Sequence, residues 1–213
     1  PFVNSTISFK GNNSLVYLSK SNREYLIKIT IYNDSNVYIG RNNFFGGLLR
    51  IIASEGKSLC IGSGCLFSYG ILIRTSDGHK IFDFDGKRLN SGQNVVIGDH
   101  VWIGQDAIIL KGAKIGSGAI VATKSVLSNK AYYSNTLYGG VPARKIKEHV
   151  YFTYGSTNKI SDQEYQTDEE SKSRFMYSQD LGKNSAFKAV DKIFHHNSLA
   201  DKRLEFPKLL NAK

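Results

Sequence analysis

The chain has 213 residues, 41% of them hydrophobic, with 28 Lys and Arg against 18 Asp and Glu for a formal charge of +10. That length supports one main core with a small appendage and leaves little room for two full enzyme domains. No run of eighteen apolar residues occurs, and no basic segment followed by an apolar stretch opens the chain, so neither a membrane span nor a signal peptide is expected.

In chain order, residues 7–37 are rich in β-formers and predict one or two irregular β-coils. A spacing of six then appears, carried by Ile39, Phe45 and Ile51, by Ile61, Phe67 and Ile73, and by Ile97, Ile103, Ile109, Ile115, Val121 and Leu127. Of the nine positions from Ile61 onward, seven are followed by a small residue: Gly62, Ser68, Gly98, Gly104, Gly116, Ala122 and Ser128. Neither the 3.6-residue period of a helix nor the alternation of a long strand produces this pattern. It fits an all-β solenoid in which three short strands per coil each send one apolar side chain inward. Small residues belong at its corners, where successive coils approach closely. Three sixes make a triangular coil of 18 residues, so Ile61, Ile97 and Ile115 should stack in one column and Phe67, Ile103 and Val121 in another.

Cys60 and Cys65 fall within the repeat; they are too few for a disulfide framework or a four-ligand zinc site and read as reduced, buried side chains. The step from Ile73 to Ile97 is 24 residues, one unit of six plus an 18-residue insertion, so a loop should leave near Ser76 and return near Asn94. After Lys147 the repeat stops. The expected division is a β-helix domain at 1–147 and a polar C-terminal extension at 148–213, with a helical candidate around 186–194.

Of the five histidines, His79 alone sits in the inserted loop. Histidine titrates near neutrality and can take a proton from a weak nucleophile such as a sugar hydroxyl as a bond forms. His100 reads as a solvated corner residue, and His149, His195 and His196 as surface residues outside the repeat. Trp102 could wall a site or simply fill the prism. Asp77, Asp83 and Asp85 could each orient His79, and none is singled out. Arg74, Lys80, Lys87 and Arg88 flank or lie in the same loop, and with the overall charge they favour an anionic partner. No phosphate-binding glycine loop and no nucleic-acid-binding motif occurs, so nucleic acid is not an expected partner.

The run Val95-Val96-Ile97-Gly98-Asp99-His100-Val101-Trp102-Ile103-Gly104, the hexads after it and Gly139-Gly140-Val141-Pro142-Ala143-Arg144-Lys145-Ile146 resemble the hexapeptide-repeat acetyltransferases. With Arg74-Thr75-Ser76-Asp77-Gly78-His79, the resemblance covers most of residues 37–147. It extends to the maltose, serine and capsule branches, and within the last to enzymes acting on polysialic acid. The resemblance implies a left-handed parallel β-helix, whereas the general rule for parallel crossovers would give the right hand. It also implies a homotrimer with acetyl-CoA in the groove between subunits, His79 as base and Trp102 walling the reactive end. By the same likeness Trp102, Gly104, Ala122, Lys124, Lys130, Gly140, Val141, Pro142, Arg144 and Lys145 would bind the coenzyme. The acceptor would be an acidic polysaccharide met by Arg74, Lys80, Lys87 and Arg88, with no metal, in the cytoplasm where acetyl-CoA is available. Two departures stand out: Lys124 replaces a glycine common in relatives, and Gly46-Gly47 lie where the maltose branch has an acceptor-contacting Asn, which argues against a maltose-like acceptor. Three alternatives stay open. A γ-class carbonic anhydrase would need three histidine ligands, an acyltransferase could draw on acyl carrier protein, and a β-helix could bind carbohydrate without catalysis.

Overall fold

The computed structural model describes residues 1–155 and 169–188. The chain winds as a parallel β-solenoid, one strand per face per coil. The first coil supplies β1 (Thr6–Phe9) and β2 (Leu15–Leu18). Next come β3 (Ile27–Ile31), β4 (Asn36–Ile39) and β5 (Phe44–Phe45), then β6 (Leu49–Ala53), β7 (Ser58–Ile61) and β8 (Leu66–Phe67). The fourth coil holds β9 (Leu72–Arg74), β10 (Val95–Ile97) and β11 (Trp102–Ile103). Above it lie β12 (Ile108–Ile109), β13 (Lys114–Ile115) and β14 (Ile120–Val121), then β15 (Val126–Leu127), β16 (Ala131–Tyr132) and β17 (Thr136–Gly139). Face I stacks β1-β3-β6-β9-β12-β15, face II stacks β2-β4-β7-β10-β13-β16, and face III stacks β5-β8-β11-β14-β17. The strand β18 (Arg144–Glu148) pairs antiparallel with β17 and ends the ladder.

The inward columns follow the six-residue period. Ile97 pairs with Ile61 on one side and Ile115 on the other, and Ile103 with Phe67 and Val121. All six are buried, each stabilising the fold by about 1.5–3 kcal/mol relative to exposure. The earlier coils are larger: Ile39 meets Ile61, 22 residues on, whereas Ile97 meets Ile115, 18 residues on. The extra residues sit at the corner between faces I and II, in turns whose Asp34, Glu55 and Gly56 adopt positive φ. Cys60 and Cys65 are unpaired and buried, and desolvation pushes both thiols up.

Small corner residues are required by the approach of neighbouring coils. A Cβ on Gly98 would lie 2.5 Å from the Ser117 nitrogen and 2.9 Å from its Cα, so backbone would have to move. Gly98→Ala is expected to cost about 1–3 kcal/mol, measured by urea unfolding.

The C-terminal extension folds back onto the corner between faces II and III. It contains α1 (Glu169–Phe175) and a 3-10 turn at Leu181–Lys183. Most of the helix expected around 186–194, and His195 and His196, lie outside the described residues. His149 is exposed. His100 is not solvated: it is 2% exposed, stacked between the rings of Phe152 and Phe175 at centroid distances of 4.0 and 3.8 Å. Its Nε2 lies 2.9 Å from the Phe152 carbonyl, which can only accept, so this nitrogen carries the hydrogen. Nδ1 lies 3.0 Å from the Tyr154 hydroxyl. Asn135 adds a second anchor, donating to the Phe175 carbonyl and accepting from the Tyr177 amide. Phe187 covers Tyr38, Cys60 and Val96 on the outside of face II. No helix among the described residues is long and apolar enough to cross a membrane.

Burial holds the His100 pKa below the ordinary 6.5, with the Arg174 charge acting the same way and the Phe152 carbonyl and Asp99 opposing. The undocked chain therefore takes up this proton first as pH falls. Docking is at full strength above about pH 6.5 and weakens as pH drops toward the folded-state value. Protection of the amides of residues 172–184, taken relative to the intrinsic exchange rate at each pH, is expected to fall on acidification in wild type, and much less in His100→Phe.

Candidate functional site

Residues 75–94 leave the prism at the corner between faces I and II, and their root is held tightly. Thr75 donates its amide to Ile52, accepts from Gln93 at 2.9 Å, and exchanges side-chain bonds with Ser54. Arg74 donates from Nε to the Ser76 carbonyl at 2.6 Å. On the returning limb, Arg88 makes a two-point ion pair with Glu55 at 2.7 and 2.8 Å, and Glu55 also accepts from the Gly92 amide. Asp77 pairs with Lys111, whose ammonium holds the carboxyl below its usual range, helped by Asn90. Asp83 accepts from the amides of Asp85 and Lys87 and shapes the tip.

Asn90 is the centre of this network. Its buried amide donates to the His79 carbonyl at 2.7 Å and to Asp77 at 2.9 Å, and accepts from the Ile81 amide at 2.8 Å. The His79 backbone is thus fixed while its side chain is exposed. Among the described residues no side chain hydrogen-bonds the imidazole, and Asp77 and Asp83, two of the three acids that could have oriented it, are committed to the loop itself. Asn90→Ala is expected to loosen His79 and lower turnover by up to about a hundredfold with coenzyme affinity unchanged, read by steady-state kinetics.

Trp102 and the other expected coenzyme residues occupy a different edge. Trp102 projects from the outer side of face III, 38% exposed and 5.7 Å from the Phe152 ring, while its neighbour Ile103 fills the prism. Packing inside the prism is therefore not its role. Gly104, Ala122 and Gly140 stack beside it at the corner between faces III and I, linked by Gly104 to Val121, Ala122 to Tyr138 and Val126 to Gly140 backbone bonds. Lys124 stands on the same corner at φ 57, exposed, its amide bonded to Gln105. Val141 and Pro142 form the exposed turn into β18, which carries exposed Arg144 and Lys145. Lys145 pairs with Glu148 at 2.7 Å, which raises its pKa and lowers that of Glu148. Lys130 reaches from the corner between faces I and II to the Ala143 carbonyl at 2.9 Å and so braces this turn.

Within one chain these groups form two separate clusters. The hydrogen bonds of residues 75–94 run to Ile52, Ser54, Glu55, Ser58 and Lys111, all on or beside the corner between faces I and II. Of the four loop cations, Arg74 and Arg88 are engaged within the fold, and Lys80 and Lys87 remain exposed. Sequence reasoning missed Asn90, Glu55 and Lys111, because each acts through a contact with no local pattern.

Residues 94–129 match the family model described as bacterial transferase hexapeptide (six repeats). A polysialic acid O-acetyltransferase of Neisseria meningitidis is 32% identical over 97 residues, 45% of this chain and 45% of that relative, so the match spans less than half of either. The crystal structure of the polysialic acid O-acetyltransferase OatWY superposes with a TM-score of 0.65 at 27% identity, covering 81% of this chain and 79% of that one. A galactoside acetyltransferase in complex with coenzyme A matches in fold, with a TM-score of 0.50 at 18% identity over 70% of this chain and 72% of that one. The chain is therefore a left-handed parallel β-helix whose residues 94–129 match the hexapeptide-repeat model.

Proposed function

We propose that this chain is a subunit of a homotrimeric O-acetyltransferase that moves acetyl from acetyl-CoA to a hydroxyl of sialic acid in an acidic capsular polysaccharide, in the cytoplasm. The observation that carries it is the pairing of a backbone-pinned, exposed His79 with a separate corner bearing exposed Trp102 and a row of small residues. A second copy would unite the two. Apolar columns flank the Trp102 corner: Phe44, Leu66, Ile120 and Leu137 in register with Trp102 on face III, and Leu72, Ile108 and Val126 on face I. The His79 loop also exposes Ile81, Phe82, Phe84 and Leu89. Such surfaces favour burial against another copy, and cyclic closure gives equivalent sites.

In this reading the His79 imidazole takes the proton of the acceptor hydroxyl as its oxygen adds to the thioester carbonyl. The carbon–sulfur bond then breaks and the proton passes to the departing thiolate. Trp102 walls the reactive end, Gly104 and Ala122 leave room along the corner, and Lys124, Arg144 and Lys145 supply cations at its far end. Gly140, Val141 and Pro142 border it, with Lys130 holding their turn in place. Lys80 and Lys87 attract the acidic acceptor, and Arg74 and Arg88 set the loop that carries them.

The test is acetyl transfer to polysialic acid and to a neutral polysaccharide across a salt series. Screening shortens from about 10 Å at 0.1 M to about 3 Å at 1 M salt, so KM for polysialic acid should rise steeply and KM for a neutral glycan should not. Preference for the neutral polymer would overturn the acceptor assignment.

A further inference from the structure

A cleft of about 970 Å³ opens at the corner between faces II and III, roofed by the C-terminal extension, and no part of the proposed chemistry uses it. Three arginines from three elements line it: Arg23 after β2, Arg41 after β4, and Arg174 on α1. Arg23 lies over the Phe44 and Tyr154 rings at 5.4 and 5.8 Å, and Arg174 over the Phe175 ring at 5.3 Å. Rings at that distance hold a guanidinium in place by cation–π attraction without consuming its hydrogen-bond donors. Among the described residues, neither Arg23 nor Arg174 has a carboxylate partner. The one acid lining the cleft, Asp99, is committed to the Ser63 amide and the Ser185 hydroxyl.

The cleft adjoins the face that carries Trp102. Phe44, which supports Arg23, pairs through Leu66 to Trp102, two strands or about 10 Å along the coil axis. Phe152 bridges the same gap from the other side, 5.7 Å from Trp102 and 4.0 Å from His100, itself a lining residue. We infer that this cleft is a second acceptor subsite, in which Arg23 and Arg174 grip carboxylates of an acidic sugar polymer whose reacting unit lies elsewhere. Planar guanidinium groups match carboxylates by two-point hydrogen bonding, and Tyr154 and Tyr177 offer ring faces for sugar carbons. The inference rests on the proposed acidic-polysaccharide acceptor and adds a place where a unit remote from the reaction is held. Such a site acts by raising effective concentration, so it matters for polymer and not for monomer.

The experiment compares wild type with Arg23→Glu/Arg174→Glu, using long sialic acid oligomers, monomeric sialic acid and CoA as separate probes in equilibrium binding, with acetyl transfer measured alongside. Oligomer Kd is expected to rise at least about tenfold, with CoA affinity and monomer turnover within about twofold of wild type. Retained CoA affinity certifies the prism, and unchanged amide-exchange protection of residues 172–184 certifies the docked extension; Arg23→Gln/Arg174→Gln is the second variant should charge reversal unfold the extension, and the same loss of oligomer affinity is expected of it. Wild-type transfer to polymer with unchanged oligomer Kd in the variants overturns the subsite and leaves the acetyltransferase reading intact. A loss confined to CoA would make the cleft a coenzyme phosphate site, which also overturns it. Failure of wild type to acetylate or bind sialic acid polymers overturns the acceptor reading and this inference with it.

Discussion

His79→Ala is expected to lower acetyl transfer by about a hundred- to ten-thousandfold while leaving CoA affinity near wild type. In the proposed mechanism the imidazole acts on the acceptor proton; the His79 backbone is held by Asn90 and not by its own ring, so removing the ring leaves the loop in place. Arg88, Glu55, Asp77 and Lys111 still fix both limbs. The loss should therefore appear in kcat, with unfolding and CoA binding unchanged. Turnover within tenfold of wild type would remove His79 from the chemistry.

Phe67→Ala is expected to cost about 3–5 kcal/mol of folding stability, measured by urea unfolding. Phe67 is fully buried, stacks on Phe45 at 5.5 Å with rings nearly parallel, and meets Ile103 in the next coil. Each coil rests on its neighbours, so a void at Phe67, between Phe45 and Ile103 in this column, weakens contacts on both sides. A loss below 1 kcal/mol would mean that the column relaxes to fill the space.

The repeat made the upper prism legible, because an inward residue every six positions leaves a mark that only a solenoid explains. Ile61, Ile97 and Ile115 could be placed in one column from spacing alone. The lower coils were less legible, since turns at Asp34 and Glu55-Gly56 lengthen one corner and break the 18-residue count. His100 was misread for a different reason: the rings that bury it, Phe152 and Phe175, come from a segment beyond the repeat whose docking has no periodic signal. The loop carrying His79 was visible as a gap in the period. Asn90 was not, because its three hydrogen bonds reach Asp77, His79 and Ile81 through a fold of the loop that sequence spacing does not encode. Arg74 and Arg88 were picked out by charge, and their bonds to the Ser76 carbonyl and to Glu55 were not legible from spacing.

The most direct test of a site shared between copies is activity in mixed oligomers of His79→Ala and Trp102→Ala chains, each strongly impaired alone. Co-refolded together, chains of the first kind supply an intact Trp102 corner and chains of the second an intact His79 loop. Random mixing should then restore about a quarter of the wild-type sites, with acetyl transfer rising well above both parents. Activity that stays at the average of the two parents would contradict a site built from His79 of one copy and Trp102 of the next.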